Sequence, residues 1–400
     1  MASRAFLVLW FAMFVGTAGI GMVSPLLPVF AKDLGATGVW LGLAFSGFAL
    51  TQGTITPFIG RVSDRLGRKP FIFAGLLVYA AAGLAYLLAT TYWQIILIRL
   101  CSGVGTAFIF PVTAAYVGEM APPQREGAYM GTFAMAQTIG FGSGPLLGGV
   151  LRDALGIDAV FLAMGGSTLV AAALVFLLLP VVPRQQHREA ALPAAPVVTV
   201  LKHPTVLAVL IFQAVWAVGN GAALAFAAIL MDEKLAASGT AIGLVLSART
   251  LTNGFLQPFS GRLADRYSRV LLVALGLTAA ALTTFTIPLA GSIPALLALF
   301  ALLGAFESVS YPSAMAMVVD AGRELGMGST MGLLQMSLAA GITGGSAVGG
   351  AVESSFGVDA VFRYAAGMSL LGVALFGLMA SRARAVPAAA AAPAAVPEQD

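Results

Sequence analysis

The ten residues that decide the fold are Gly60-Arg61-Val62-Ser63-Asp64-Arg65-Leu66-Gly67-Arg68-Lys69, a short charged stretch between two long apolar segments. A second copy, Gly261-Arg262-Leu263-Ala264-Asp265-Arg266, places Asp265 at a distance of 201 residues from Asp64. Self-similarity at one fixed offset is the signature of a repeat. The sequence therefore predicts two homologous halves.

The offset of 201 residues holds without a gap across roughly a hundred residues of each half. It aligns the following positions: Pro57 with Pro258, Gly103 with Gly304, Pro111 with Pro312, Glu119 with Asp320, Met130 with Met331, Gly140 with Gly341, and Asp158 with Asp359. Matched prolines and acidic residues at one register carry the argument, because glycine is common in this chain.

The composition excludes a soluble protein. Only 10% of the residues are charged and 59% are hydrophobic, whereas a soluble domain carries about 25% charged residues. The chain contains about twelve continuous apolar segments of about 20 residues, the length that one helix needs to cross a bilayer core. They lie at 6–30, 39–59, 70–90, 93–118, 126–150, 159–182, 205–230, 239–260, 270–290, 294–319, 326–350 and 360–380.

The predicted fold is all-α, with twelve transmembrane helices in two six-helix bundles related by pseudo-twofold symmetry. The bundles span 1–182 and 205–382, a Pro-rich linker spans 183–204, and an Ala/Pro-rich tail spans 383–400. A shift of six helices preserves orientation, so the repeat axis runs along the membrane normal. The first apolar run is too long for a secretory signal, and we expect it to remain as the first helix.

Basic residues are distributed unevenly between the two sides of the predicted topology. If the N-terminus is cytoplasmic, only Lys32, Arg152, Lys234 and Arg363 fall outside the cell, and the other loop cations fall inside. This positive-inside distribution predicts a multi-pass protein of a bacterial inner membrane with both termini in the cytoplasm. The sequence pI near 9.4 therefore reflects topology and does not indicate a nucleic-acid partner.

The charged stretch 60–69 has the features of a gating loop. Its glycines permit a tight turn, and its aspartate can lie at the positive end of a neighbouring helix dipole. Its cations can hold that aspartate or nearby acids and so latch one conformation. The alternative is a positively charged turn with no gating role. The predicted gating residues are Gly60, Asp64, Arg65, Gly67, Arg68, Lys69, Asp265 and Arg266.

This stretch resembles the signature loop of the major facilitator superfamily, G-x-x-x-D-R-x-G-R-[RK], which is complete in the first half. The second copy departs from it, because Tyr267-Ser268-Arg269 replaces the x-G-R portion. The number of helices, the repeat and the loop positions match that superfamily over the whole chain. The resemblance implies its fold and alternating access between the two bundles.

Segment 5 carries a second motif, Gly140-Phe141-Gly142-Ser143-Gly144-Pro145-Leu146-Leu147-Gly148-Gly149. Small residues at a spacing of four let helices approach closely, and proline permits a kink. The motif resembles the antiporter signature of the superfamily's twelve-helix drug:proton exporters, where it distinguishes exporters from importers. The alternative is tight packing against segment 8. The residues that match the signature are Gly140, Gly144, Pro145, Gly148 and Gly149.

Three charged residues lie deep within the apolar segments, away from the segment ends. Arg249 and Glu307 lie roughly 15 and 20 Å deep at 1.5 Å per residue, which places both near the midplane. A lone charge there costs at least about 2.5–3.5 kcal/mol, so we expect the two to pair. Glu307 is the predicted proton-coupling carboxylate, and the alternative is a permanent structural pair.

Arg99 resembles the proton-transfer arginine of the superfamily's R-x-x-x-G-x-G motif, and the alternative is that it reaches the membrane interface.

Segment 1 has no acidic residue before Asp33, although many drug:proton exporters of this family carry one in helix 1 or 2. Coupling must therefore run through Glu307 or Asp64, or be absent. Neutral and aromatic side chains complete the predicted substrate cavity: Gln52, Gln137, Gln213, Asn220, Asn253, Phe306, Tyr311 and Gln335. The sequence has no P-loop and no metal or enzyme signature, so neither cofactor nor metal is expected.

These features predict a monomeric secondary transporter that exports small lipophilic or amphipathic compounds in exchange for protons. The first alternative is an exporter of a specific metabolite, sugar or lipid-linked molecule. The second is a membrane sensor that has lost transport. The expected partners are a small-molecule substrate, protons and the lipid bilayer.

Overall fold

The structure, a computed structural model, describes residues 4–122, 125–180, 203–325 and 327–385. Residues 183–202 of the predicted linker and 386–400 of the predicted tail lie outside these ranges. The described residues are helical and contain no strand. The helices are α1 Arg4–Val23, α2 Leu27–Asp33, α3 Val39–Leu66, α4 Arg68–Ala85, α5 Tyr92–Met120, α6 Glu126–Leu155, α7 Ile157–Leu178, α8 Pro204–Leu235, α9 Gly239–Arg266, α10 Arg269–Thr286, α11 Ile293–Leu325, α12 Met327–Phe356 and α13 Val358–Ala385.

The helices form twelve spans, as predicted, because α1 and α2 together make the first one. The break between α1 and α2 contains Pro25, and Pro28 lies in the first turn of α2. Proline cannot donate a backbone hydrogen bond, so it interrupts a helix or starts a new one. Pro204 likewise begins α8, whereas the sequence placed it in the linker. At the other terminus α13 continues to Ala385, past the predicted start of the tail.

Nine of the spans in the described part of the chain are long and apolar enough to cross a membrane by length and composition. The other three, α3, α6 and α9, are less apolar. These helices make the main contacts between the halves: α6 packs on α9, and α3 packs on α12. A helix that faces another helix across a bundle interface exposes less surface to lipid, and small residues let such helices approach closely.

The ends of the molecule differ in how closely the halves approach. We call the face where α3 and α9 begin (residues 37–39 and 237–239) the far face. We call the face where these helices end (residues 66–69 and 266–269) the loop face.

Glycines bring the helix backbones into contact at the far face. Gly149 of α6 lies against Gly239 of α9, and Gly350 of α12 lies against Gly38, which precedes α3. A Cβ atom at position 149 or 350 would overlap the carbonyl oxygen of its neighbour. The offset of 201 residues relates Gly149 to Gly350 and Gly38 to Gly239. The two helix crossings are therefore pseudo-symmetric.

The same symmetry holds for a second pair of contacts deeper in each crossing. A Cβ atom at Gly243 of α9 would overlap the carbonyl oxygen of Pro145, and one at Gly42 of α3 would overlap that of Ser346. The offset again relates these two pairs. The antiporter-type proline and the serine that replaces it in the second half therefore both lie at the contact between the halves.

Hydrogen bonds distinguish the two crossings. Ser346 Oγ lies 2.6 Å from Ser46 Oγ, to which it donates a hydrogen bond between α12 and α3. In the other crossing, the backbone nitrogen of Leu146 donates to Ser247 Oγ over 3.1 Å. Positions 46 and 247 are equivalent, but Pro145 has no hydroxyl with which to reproduce the Ser346 contact.

The halves separate toward the loop face. Close contacts extend as far as Gly53 with Ala339 and Gly254 with Thr138, which are again equivalent pairs. Nearer the loop face, no atom of another helix in the described residues lies within 4 Å of a Cβ built at four glycines: Gly60, Gly131, Gly261 and Gly332. In the part of the chain that the structure describes, the halves are therefore closed at the far face and open at the loop face.

An ion pair marks the pseudo-twofold axis. Lys32 Nζ at the end of α2 contacts Glu233 Oε1 of α8, and positions 32 and 233 are equivalent under the offset. A residue that contacts its own counterpart lies on the symmetry axis. Both side chains are partly exposed, so the pair contributes at most about 1 kcal/mol.

Substitution of Gly243 by alanine tests the crossing. In a helix this change is usually stabilising by about 0.5–1 kcal/mol, but here the Cβ atom would overlap the Pro145 carbonyl oxygen. We expect a net destabilisation of about 1–3 kcal/mol and a lower melting temperature of the purified protein. Gly166→Ala in α7, where nothing lies within 4 Å, is the matched control. Equal melting temperatures for the two variants would contradict the packing described here.

Candidate functional site

Two charged side chains pair in the second half. Arg249 of α9 and Glu307 of α11 are buried, with 8% and 9% of their surfaces exposed. Arg249 Nε donates to Glu307 Oε2 over 2.9 Å, and Nη2 donates to Oε1 over 2.7 Å. The structure thus places the predicted partners in a bidentate ion pair, the arrangement with the strongest hydrogen bonds between such groups.

Local packing positions this pair. Gly304 lies one turn before Glu307 on α11, and a Cβ atom there would overlap the carbonyl oxygen of Arg249. The glycine therefore lets α11 approach the α9 backbone at the level of the arginine. Asn220 of α8 completes the site, because its Oδ1 accepts a hydrogen bond of 2.8 Å from Arg249 Nη2. Three helices thus contribute one polar side chain each.

The ion pair lines a cavity of about 340 Å³. Its lining is mostly apolar and aromatic, with a few amides and hydroxyls. A smaller cavity of about 20 Å³ adjoins it and contains Asn220. The residues that line the larger cavity are Val209, Phe212, Gln213, Trp216, Leu224, Arg249, Thr250, Asn253, Gln257, Leu277, Glu307, Ser310, Ala314, Met315 and Leu334.

All of these lining residues belong to the second half, whereas the sequence places the site between the two bundles. Two of the residues that the sequence assigned to a substrate cavity, Gln213 and Asn253, line this one. Gln52, which is half-buried, and Gln137 and Gln335, which are exposed, are not among the residues that line this cavity. Phe306 packs against the apolar core. The side chain of Tyr311 lies outside the described residues.

Gln257 is a lining residue that sequence reasoning missed. It lies two turns after Arg249 on α9, with Asn253 between them, and its Nε2 lies 3.4 Å from Asn253 Oδ1. Residues four apart share one face of a helix. The spacing 249, 253, 257 is the signal that could have identified it.

Arg99 lies in the interior of the first half and does not extend to the membrane interface. It is fully buried, and its Nε and Nη2 donate to the carbonyl oxygen of Phe45 over 3.1 and 2.9 Å. Nη2 also donates to Ser24 Oγ. Its guanidinium carbon lies 4.4 Å from the centre of the Phe48 ring. Within the described residues, Nη1 has no hydrogen-bond partner.

The segment 5 motif contacts two different helices. Gly140, Gly144 and Gly148 lie against the backbone of α1, within the first half. Gly149 and the carbonyl of Pro145 lie against α9 of the second half. The motif therefore holds α6 against its own bundle and against the other one at the same time.

The structure describes part of the predicted gating loop. Gly67 adopts φ +95°, which favours glycine, between the end of α3 and the start of α4. Arg68 Nε donates to Glu119 Oε1 at the end of α5 over 2.8 Å, and Lys69 Nζ lies 5.8 Å from the Phe176 ring. A Cβ atom at Gly60 would meet no other helix of the described residues within 4 Å, and the Arg266 side chain is exposed. Three predicted side chains lie outside the described residues: Asp64, Arg65 and Asp265.

A carboxylate that sequence reasoning missed closes the far face. Asp153, in the last turn of α6, accepts hydrogen bonds from the backbone nitrogens of Gly239 and Thr240 over 2.8 and 2.7 Å. The first N–H groups of a helix lack partners within it, and the positive end of its dipole attracts an anion. The equivalent position is the uncharged Ser354, so the second crossing has no such contact.

Two repeated bundles, closed at one face and open at the other, with a buried ion pair beside an apolar cavity, define a membrane transporter. The chain belongs to the Major Facilitator Superfamily, whose family model matches residues 9–221 and 209–398. The family model covers both halves of the chain, and it confirms the superfamily that the charged loop resembles.

Several relatives match over almost their whole length. The multidrug resistance protein MdtG of Enterobacter lignolyticus is 30% identical over 96% of this chain and 94% of its own. The multi-drug resistance efflux pump PmrA of Streptococcus pneumoniae is 27% identical over 94% and 95%. An uncharacterised MFS-type transporter of Methanocaldococcus jannaschii is 25% identical over 91% and 95%.

A solved structure shares the fold. A bacterial homologue of the human lysosomal transporter Spinster, in an inward-facing and occupied conformation, superimposes with a TM-score of 0.79 at 14% identity. The match covers 95% of this chain and 98% of that one.

Replacement of Asp153 by asparagine tests the far-face contact. Because the neutral side chain loses the attraction to the α9 dipole, worth about 1 kcal/mol, the far face should open more often. We expect severalfold faster labelling of a cysteine at position 46, buried in the closed crossing, by an impermeant thiol reagent in a Cys101→Ser background. Asp158→Asn removes an exposed acid near the same face and is the control. Equal labelling rates for the two variants would disprove the contact's role.

Proposed function

We propose that this transporter exports small lipophilic or amphipathic compounds from the bacterial cytoplasm by alternating access, driven by inward proton flow. The observation that carries the proposal is the Arg249–Glu307 pair, which lines an apolar cavity in a molecule that is open at one face. Relatives named as a multidrug resistance efflux pump and a multidrug resistance protein support the same class of substrate.

The topology assigns a direction to the open face. Because the loop cations concentrate on one side, we place the loop face and both termini in the cytoplasm of a bacterial inner-membrane protein. The structure then corresponds to an inward-facing state, from which a cytoplasmic compound can reach the cavity. We expect the chain to work as a monomer, since each half already packs against the other.

Glu307 is the residue we assign to proton coupling. Protonation would remove the charge that balances Arg249, and an unbalanced buried charge costs several kcal/mol. The loss would favour rearrangement of the site and entry of water or a counter-charge. A carboxylate that alternates between a bound proton and an ion pair can therefore link proton movement to the exchange of conformations.

The cavity wall favours lipophilic compounds over sugars. Phe212, Trp216 and Met315 are among its lining residues, and such side chains provide an adaptable apolar surface. A sugar site requires many polar groups to replace the water bound to its hydroxyls.

Glu307→Gln tests coupling directly. The amide keeps the shape of the carboxyl group but cannot alternate between charged and neutral forms. We expect uphill accumulation of lipophilic dyes in proteoliposomes with an imposed pH gradient to fall on the order of tenfold or more, while downhill exchange persists. Glu353→Gln, a change on α12 outside the cavity, is the control and should retain uphill transport. Uphill transport by Glu307→Gln would show that another group couples.

Asp64→Asn tests the gating loop. If the aspartate latches one conformation through its charge, the turnover rate at saturating substrate should fall severalfold without a comparable change in equilibrium dye binding. Asp33→Asn, which removes an acid near the far face, is the control. An unchanged turnover rate in Asp64→Asn would contradict the latch.

A further inference from the structure

We propose that the cavity selects uncharged or internally neutral amphipathic compounds with a hydrogen-bond acceptor, and discriminates against monocations. This inference rests on the proposed function, because it specifies the substrate class of the same site. It follows from the charges and hydrogen bonds of the cavity wall.

The wall carries no net charge when Glu307 is ionised. Among the described lining residues, Arg249 and Glu307 are the only ionisable side chains. A neutral compound leaves this balance intact, whereas a monocation adds an uncompensated positive charge beside a guanidinium group. Uncompensated charge is unfavourable in a buried site of low dielectric constant.

The carboxylate is also unavailable to a cation. Both oxygens of Glu307 accept hydrogen bonds from Arg249, at 2.7 and 2.9 Å. A cationic compound would have to displace a bidentate guanidinium group, which is among the strongest partners of a carboxylate in proteins. A typical cation site in contrast offers an acid without such a partner.

A hydrogen-bond donor remains for the ligand. Arg249 uses Nε and Nη2 for Glu307 and Asn220. Within the described residues, the hydrogen bonds of Arg249 come from Nε and Nη2 and none from Nη1. Nη1 is also absent from the buried side-chain atoms that lack a partner, so it is accessible from the cavity. A carbonyl, ether or phosphoryl oxygen on the compound can accept from this nitrogen while the aromatic part contacts Phe212 and Trp216.

The test compares probes that share aryl surface but differ in charge: triphenylphosphine oxide, tetraphenylphosphonium and tetraphenylborate. Matched aryl groups are needed because aromatic walls also attract cations. Trp216 reports binding, since it is the only one of the four tryptophans among the described lining residues. Fluorescence quenching is measured on the purified full-length protein without a gradient, and the Trp216→Phe variant supplies the background from detergent partitioning.

The wild-type protein should bind triphenylphosphine oxide about tenfold more tightly than tetraphenylphosphonium. Arg249→Gln leaves Glu307 unpaired and should invert this order. Glu307→Gln leaves Arg249 unpaired and should favour tetraphenylborate most. If a single variant does not fold, the double variant Arg249→Gln/Glu307→Gln restores neutrality and should again prefer the oxide.

Equal or tighter binding of tetraphenylphosphonium by the wild-type protein would overturn the inference, as would an unchanged order in Arg249→Gln. Failure of the proposed function has a different signature. In that case the order of binding stays as expected, but a pH gradient drives no uphill transport of the oxide.

Discussion

Arg249 and Glu307 form a buried, bidentate ion pair, in which each side chain offsets the cost of burying the charge of the other. Several features of the second half position this ion pair. Gly304 lets α11 approach α9 at the height of the arginine, and Asn220 reaches from α8 to the guanidinium group. The cavity wall is otherwise neutral in the described residues. The site therefore depends on one charge balance, which a single proton can change.

The far face supplies the second requirement of a transporter, which is a contact that can open. Glycines at the α6/α9 and α3/α12 crossings bring the backbones together with little side-chain interlock. Surfaces of this kind separate without repacking large side chains. Asp153 and the Ser46–Ser346 hydrogen bond add polar contacts that water can replace when the halves part.

The sequence predicted well how deep a residue lies along its helix. It predicted poorly which side of the helix the residue faces. The repeat offset yielded the two bundles, and the depth of Arg249 and Glu307 along their helices was enough to pair them. Which way a helix faces is harder to infer, because lipid-facing and protein-facing sides are both apolar. For that reason the sequence could not show that Gln137 and Gln335 are exposed and do not line the cavity around Arg249, and it left the interior position of Arg99 open. Asp153 was missed because its partners are backbone nitrogens, which no residue pattern reveals.

The interior arginines show how the two copies diverged after duplication. Under the offset, Phe48 corresponds to Arg249, and Arg99 corresponds to Phe300, so each half keeps one arginine and one phenylalanine with their positions exchanged. Glu307 has no acidic counterpart in the first half, because the equivalent residue is Thr106. The guanidinium group of the first copy is held by carbonyl, hydroxyl and ring contacts that do not titrate at physiological pH. The duplicated halves have thus acquired different interior chemistry: the arginine of the first half contacts a carbonyl, a hydroxyl and a ring, whereas that of the second half pairs with the carboxylate that we propose takes up the proton.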